Sequence, residues 1–362
     1  MKNKIKDSLQ NKIQVKMLDN IQDEIADKVN NEESRKINST KRKSIHPYGL
    51  THFLWLVTII STLFLVGCKG KETLSNQDVM SENLITFTDS LGREVTVSNP
   101  QKVAAFMGSY AEVWLLSGGI LAAVTDDAYD ERNLELSDEV ITLGKMNAVN
   151  MELVIEEGID FVLLSSETAE HIEVKDTLDK LGIPSAYFKV ETFQDYLAML
   201  DICTDITGRK DLYKTNGEDI GVGIDEIIQA VPEGISPSVL FLRAFSTGVK
   251  AKGSDSMTGI MLKELGCMNI ADTDNSLLED LNMEKIVEED PDFIFVITMG
   301  SSSEKALEAV NELLLSNPAW EGLTAVKNGH YHVLPKQLFH SKPNVRWKES
   351  YEMLAEILYE SK

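Results

Sequence analysis

Two carboxylates occupy the same point of a duplicated unit. The stretch Asn150-Met151-Glu152-Leu153-Val154-Ile155-Glu156-Glu157-Gly158-Ile159-Asp160-Phe161-Val162-Leu163 returns as Asn282-Met283-Glu284-Lys285-Ile286-Val287-Glu288-Glu289-Asp290-Pro291-Asp292-Phe293-Ile294-Phe295. Each asparagine has the chemistry of a helix N-cap, because its side chain accepts bonds from the free N–H groups of a first turn. A glutamate two residues on sits where the helix dipole favours negative charge, by about 0.3–1 kcal/mol. Capping explains one such residue but not why both halves keep it. Glu152 and Glu284 are also suited to meet two arginines of a partner that grips both halves, and the two roles are compatible.

A second group of charges is cationic. In open α/β sheets ligands bind where loops leave the carboxyl ends of strands. The loops expected there are Ser109-Tyr110, Asp126-Asp127-Ala128-Tyr129 and Gly144-Lys145-Met146 in the first half. The second half offers Arg243-Ala244-Phe245-Ser246, Gly300-Ser301, His340-Ser341-Lys342 and Arg346-Trp347. The candidate ligand contacts are therefore Tyr110, Tyr129, Lys145, Arg243, Phe245, His340, Lys342 and Arg346. Cations in these places suit carboxylate, catecholate or propionate groups, arginine by a planar two-pronged contact. Aromatic side chains would cover a flat or apolar ligand face. The competing roles are plainer: Lys342 and Arg346 lie near a helix start and can pair with local carboxylates. Trp347 suits a core, and Asp126 and Asp127 suit a turn.

The elements that must position these residues alternate. Ile85–Asp89 and Leu91–Val97 read as a hairpin, followed by strands at Lys102–Met107, Leu121–Thr125, Phe161–Leu164 and Ser185–Val190. Helices fall between them at Tyr110–Ser117, Met151–Glu157 and Glu173–Leu181, with another after them at 193–206. A long segment, Arg209–Ala230, carries no strand signal and reads as a helical connector, although Gly217, Gly221 and Gly223 weaken it by up to about 1 kcal/mol each. The second half repeats the scheme with strands Val239–Ala244, Phe293–Thr298 and His330–Leu334. Its helices are expected at Met257–Leu265, Met283–Glu289, Glu304–Leu315 and Asn344–Tyr359. Strands separated by helices imply parallel sheets built from βαβ units.

Upstream, residues 53–66 form an uncharged apolar run behind Lys41-Arg42-Lys43, the pattern of a secretory signal. Leu65-Val66-Gly67-Cys68 resembles a bacterial lipobox, which makes Cys68 the expected site of lipidation and the mature N-terminus. Residues 1–50 are either an over-extended start, with Met17 as an alternative, or a cytoplasmic tail. The polar residues 68–83 read as a flexible tether. The expected organisation is thus 1–67 extension and signal, 68–83 tether, 84–207 first lobe, 208–234 connecting helix and 235–362 second lobe.

Composition excludes several functions. The net charge is −23, and residues 1–67 are themselves basic, so the exported part is more acidic still. That argues against nucleic-acid binding, which needs a basic footprint. Cys203 and Cys267 sit in apolar contexts and read as buried free thiols. No Gly-x-Ser-x-Gly, Walker loop or catalytic Cys/His pair is visible, so no catalytic residue is assigned and an exported enzyme is the weakest reading. A binding protein for bare divalent metal ions would need converging His and carboxylates. Only His171, His330, His332 and His340 lie beyond the signal, with no His-rich loop, so no metal site is assigned.

Taken together, the lipobox, the repeat, Phe87-Thr88-Asp89-Ser90-Leu91-Gly92-Arg93-Glu94-Val95, Gly108-Ser109-Tyr110-Ala111-Glu112, and Lys342-Pro343-Asn344-Val345-Arg346-Trp347 resemble the substrate-binding lipoproteins of ABC importers. The resemblance is to the class that carries ferric siderophores, haem or cobalamin, and it runs from about residue 85 to the end. It implies two α/β lobes with mainly parallel sheets, a single long connecting helix and a ligand cleft between the lobes. It also implies a monomer, anchored by Cys68 on the outer face of a Gram-positive-type cell membrane. Its partners would be a permease with ATPase subunits, its cargo an iron chelate, haem or a cobalamin-like ligand, and no cofactor would be needed. In that family one glutamate per lobe pairs with permease arginines, and Glu152 and Glu284 match those positions.

Overall fold

The computed structural model describes residues 84–273, 276–279, 281–300 and 302–359. The signal segment, Cys68, the tether and Ser301 lie outside the described residues. The chain opens on an antiparallel hairpin, β1 (Leu84–Thr88) and β2 (Glu94–Ser98). Asp89 closes its turn: the carboxylate accepts from the N–H groups of Leu91 and Arg93 and from the Arg93 guanidinium at 2.9 and 2.7 Å. Arg93 in turn donates to the Ser185 carbonyl and lies over the Tyr187 ring, which docks the hairpin on the first sheet.

That sheet contains β3 (Val103–Ala105), β4 (Leu121–Val124), β5 (Ile141–Thr142), β8 (Phe161–Ser165) and β9 (Ser185–Phe188) in the order β5-β4-β3-β8-β9, all parallel. A short hairpin, β6 (Gly144–Lys145) with β7 (Ala148–Val149), stands beside it. Helices cover both faces, so β8 is buried at every residue and reads as a continuous apolar run. The helices that matter for the site are α1 (Gly108–Leu116), α2 (Asp127–Asp130), α3 (Met151–Glu156) and α4 (Phe193–Thr207). Thr192 and Asp195 form a capping box at the start of α4, and Gly208 ends it in the left-handed region.

A single helical run, α5, then leads to the second sheet. It comprises Lys210–Tyr213, a π-helical turn at Lys214–Glu218 and Asp219–Gln229. The second sheet has the order β11-β10-β13-β14, from β10 (Ser238–Phe245), β11 (Gly248–Ala251), β13 (Phe293–Thr298) and β14 (Tyr331–Val333); β12 (Met268–Asn269) also pairs β10. Its helices include α6 (Met257–Glu264), α7 (Met283–Glu289), α8 (Ser303–Val310) and the closing α9 (Trp347–Tyr359).

The duplicated unit is equivalent in three dimensions. Phe161 and Leu163, like Phe293 and Phe295, point into one apolar core that runs through both lobes. Val162 with Val154 of α3, and Ile294 with Ile286 of α7, fill separate outer cores. The period-two pattern of a strand thus assigns one face to the shared core and one to each lobe's own helices. Phe193 of α4 and Trp347 of α9 meet edge to face at 6.1 Å inside the shared core. Helix α5 packs against α4 and α9, and a Cβ at Gly217 would stand 2.8 Å from the Leu197 side chain, so that glycine allows close packing.

Three features depart from expectation. β10 runs on to Phe245 and turns back as the antiparallel β11, giving the second sheet an antiparallel edge. The helix expected at Glu173–Leu181 starts at Lys175, and a separate short helix, Ala169–Glu173, precedes it with the His171 ring held between the Ser165 N–H and the Met146 carbonyl. The closing helix starts at Trp347 rather than Asn344, since Asn344 holds φ of 54° and only a 3-10 turn precedes Trp347.

Candidate ligand-binding site

The loops after β3 and β4 are knitted by Asp127. Its carboxylate accepts from the Gly108 N–H at 2.7 Å and from the Thr125 hydroxyl at 2.6 Å. A Cβ at Gly108 would lie 2.6 Å from the Ala128 backbone nitrogen, so the loops can approach this closely only over a glycine. Tyr110, expected in the cleft, belongs to the core: it is 1% exposed and its hydroxyl donates to the Phe188 carbonyl at 2.9 Å. Position 110 falls on the buried side of α1, which the sequence could not orient. Trp347 is likewise buried. Tyr129 is half-buried against the shared core and keeps part of its ring at the surface.

The second lobe supplies a cluster of cations. Arg243 lies at the end of β10, with Phe245 two residues on and both half-buried. Its Nε is buried without a hydrogen-bond partner, and among the described residues the guanidinium has no ion pair. Burial pulls its pKa down, partly offset by Glu191 and Asp255. Lys342 is also pulled down, chiefly by burial, with Arg243 and Arg132 adding to the effect and Glu167 and Glu191 opposing it. It too has no ion pair among the described residues. Burial, with Arg243, Lys336 and Lys342 around it, pushes His340 down to about 3, so its imidazole is neutral at ordinary pH. Arg243, His340 and Lys342 therefore share one environment, positive overall in a strongly acidic protein.

Across from them the first lobe presents a rim of charge. Lys189 pairs with Glu191 at 2.6 Å and with Glu167 at 3.5 Å, in the loops after β9 and β8. Glu167, Lys189, Glu191, Arg132 and Lys336 were absent from the sequence-derived set. The same strand-end rule would have found Glu167 and Glu191 had it been applied to anions as well as to cations, while Lys189 was hidden inside the expected strand Ser185–Val190, which ends at Phe188.

The remaining expected contacts stand elsewhere. Arg346, in the 3-10 turn before α9, is exposed, and its guanidinium is engaged by Glu349 in the first turn of α9 at 2.6 and 2.7 Å, so it offers no free cation. Lys145 is exposed on the β6–β7 hairpin, and no described bond ties it to the Arg243 cluster. That hairpin is anchored by His171, whose Nδ1 accepts from the Ser165 N–H at 2.9 Å, leaving Nε2 to donate to the Met146 carbonyl at 3.0 Å. Among the described residues no group of three or more His, Cys, Asp or Glu is placed to hold a metal ion. His330 stacks on Phe293 at 4.2 Å, and Cys203 and Cys267 are free and buried.

Glu152 and Glu284 are both exposed at the first turns of α3 and α7. Asn150 accepts from the Glu152 N–H at 3.0 Å and Asn282 from the Glu284 N–H at 2.8 Å. Capping is thus done by the asparagines, and both glutamate side chains are left to solvent.

Three comparisons bear on this architecture. YhfQ of Bacillus subtilis strain 168, provisionally named an ABC transporter substrate-binding lipoprotein, is 23% identical over 297 residues, covering 77% of this chain and 88% of the relative. The Fe(3+)-citrate-binding protein YfmC of the same organism is 20% identical over 282 residues, covering 76% and 86%. The crystal structure of the periplasmic catecholate-siderophore binding protein VctP from Vibrio cholerae superposes with a TM-score of 0.61 at 17% identity, over 77% of this chain and all of that one. The periplasmic binding protein family model matches residues 103–338, from β3 to the short helix Lys336–Phe339 that precedes His340, and the chain belongs to that family.

Proposed function

We propose that this chain is the extracytoplasmic substrate-binding component of an ABC importer, and that it captures an anionic iron chelate in the cleft lined by Arg243, His340 and Lys342. The observation that carries this reading is the pair of partly buried cations, Arg243 and Lys342, that have carboxylates only at a distance and no direct ion pair among the described residues. A buried charge with no partner is unfavourable by several kcal/mol or more, so a fold that keeps two such cations in one place is poised for an anion. Ferric siderophores with carboxylate or catecholate groups present such anions, as do haem propionates. The names of YfmC and VctP, an Fe(3+)-citrate binder and a catecholate-siderophore binder, support the same ligand class. Tyr129 and Phe245 would cover the ligand's apolar parts.

Delivery uses the other face of the repeat. Glu152 and Glu284, exposed and equivalently placed, would each pair with arginines of a permease that carries the chelate inward on ATP hydrolysed by its partner subunits. Cys68 would hold the protein on the membrane by its acyl chains, and the chain would work as a monomer. The chain itself performs no reaction in this scheme.

The test is iron uptake by cells that lack the native gene and are supplied with either wild type or the Glu152→Arg/Glu284→Arg double variant. Uptake of radioactive iron, presented as ferric citrate and as a ferric tris-catecholate, should be lost in the double variant while the purified protein binds its chelate as before. Normal uptake would remove the docking role.

A further inference from the structure

The loop that carries Lys342 is held from the opposite lobe. Arg132, which follows α2, donates through Nη1 to the Ser341 carbonyl at 2.6 Å and to the Lys342 carbonyl at 3.0 Å. Its other arm pairs with Glu112 of α1, and the side chain is 7% exposed. Glu112 and the Ser109 carbonyl also accept from the Asn344 amide, at 2.7 and 2.8 Å. Lys342 and Asn344 both hold left-handed backbone, φ 49° and 54°. A lysine in that region is disfavoured, and such conformations persist where surrounding contacts over-determine them. Here those contacts come from Ser109, Glu112 and Arg132 of the first lobe. The cation that would meet the ligand is on one lobe, and the groups that fix its backbone are on the other.

We propose that Arg132 and Glu112 act as a latch that presents Lys342 to the ligand, so that affinity for the chelate depends on the first lobe remaining seated against the 341–344 loop. The inference rests on the reading of Lys342 as a ligand contact. A partner that grips Glu152 and Glu284 and parts the lobes would withdraw Arg132, free the Lys342 backbone and lower affinity without touching the ligand. Arg132 is a positioning residue in this account.

A double-mutant cycle tests it. Dissociation constants are measured by tryptophan-fluorescence quenching with ferric citrate, a ferric tris-catecholate and haem, for wild type, Arg132→Gln, Lys342→Gln and the double variant. Each single change should weaken the tightest chelate by about tenfold, and the double variant should bind little worse than the weaker single, because neighbours that act through one another are not additive. Arg132→Lys, which keeps the charge but lacks the two-pronged fork, should not restore affinity. If Arg132→Gln proves unstable, Glu112→Gln serves instead, with a smaller loss and the same non-additivity. Losses that multiply, or unchanged affinity in Arg132→Gln beside a loss in Lys342→Gln, overturn the latch alone. Unchanged affinity in Lys342→Gln overturns the site reading with it, as does failure of wild type to bind any of the three.

Discussion

Replacing Arg243 by Met separates what this side chain does to the fold from what it does for a ligand. Met keeps the length and apolar stem of the arginine while removing the guanidinium. In the unliganded protein the buried Nε has no acceptor, and an unsatisfied buried donor is unfavourable by about 1–3 kcal/mol. Glu191 and Asp255 return part of that at long range, so the variant should gain about 1 kcal/mol, or roughly 2–4 °C in Tm for a protein of this size. Affinity should move the other way. Truncating one partner of a desolvated, hydrogen-bonded charge pair costs about 2–5 kcal/mol, a loss of roughly 30-fold or more in Kd. Calorimetric melting of the unliganded protein and titration with an anionic ferric chelate read the two quantities independently. A lower Tm with unchanged affinity would show that Arg243 serves the fold, and the counter-ion argument would fail.

Two further perturbations address the surroundings. Because His340 is pushed down to about 3 in the folded protein against an ordinary 6.5, the unfolded chain takes up the proton first as pH falls. Its contribution to stability is complete above about pH 6.5 and is lost progressively between there and about pH 3. His340→Gln should flatten the fall of Tm between pH 7.5 and 4.5, with the buried His171 supplying part of what remains; an unchanged slope would contradict this. Asp89→Ala leaves Arg93 and three backbone N–H groups without their acceptor. It should destabilise the fold by about 3–5 kcal/mol in urea unfolding; a change under about 1 kcal/mol would show the turn to be held otherwise.

Much of the architecture was legible because the signals are periodic or terminal. Phe293–Thr298 and Met283–Glu289 are observed over the residues expected, the strand as an unbroken apolar run and the helix behind its asparagine cap. The β10–β11 hairpin escaped because Ser246-Thr247-Gly248 is a weak turn signal after a strand already long enough to be complete. Site residues were harder. Strand-end loops and charge, both written in the sequence, point to Arg243, His340 and Lys342, and the structure brings these three near one another; that they meet a ligand is the proposal. Tyr110 and Arg346 were misjudged because their roles depend on which side of a short helix faces inward and on a local partner three residues away. Arg132 escaped altogether: its bonds reach the Ser341 and Lys342 carbonyls, and nothing local records a contact across so many residues.

The central claim, that this cleft takes an anionic iron chelate, is tested most directly by titrating the soluble chain with ferric citrate, a ferric tris-catecholate, haem, cobalamin and divalent metal salts. The account predicts saturable one-to-one binding of at least one anionic ferric chelate or of haem, largely abolished in Arg243→Met/Lys342→Gln. Saturation by a bare divalent ion with no response to any chelate, or chelate binding that the double variant retains in full, would contradict it.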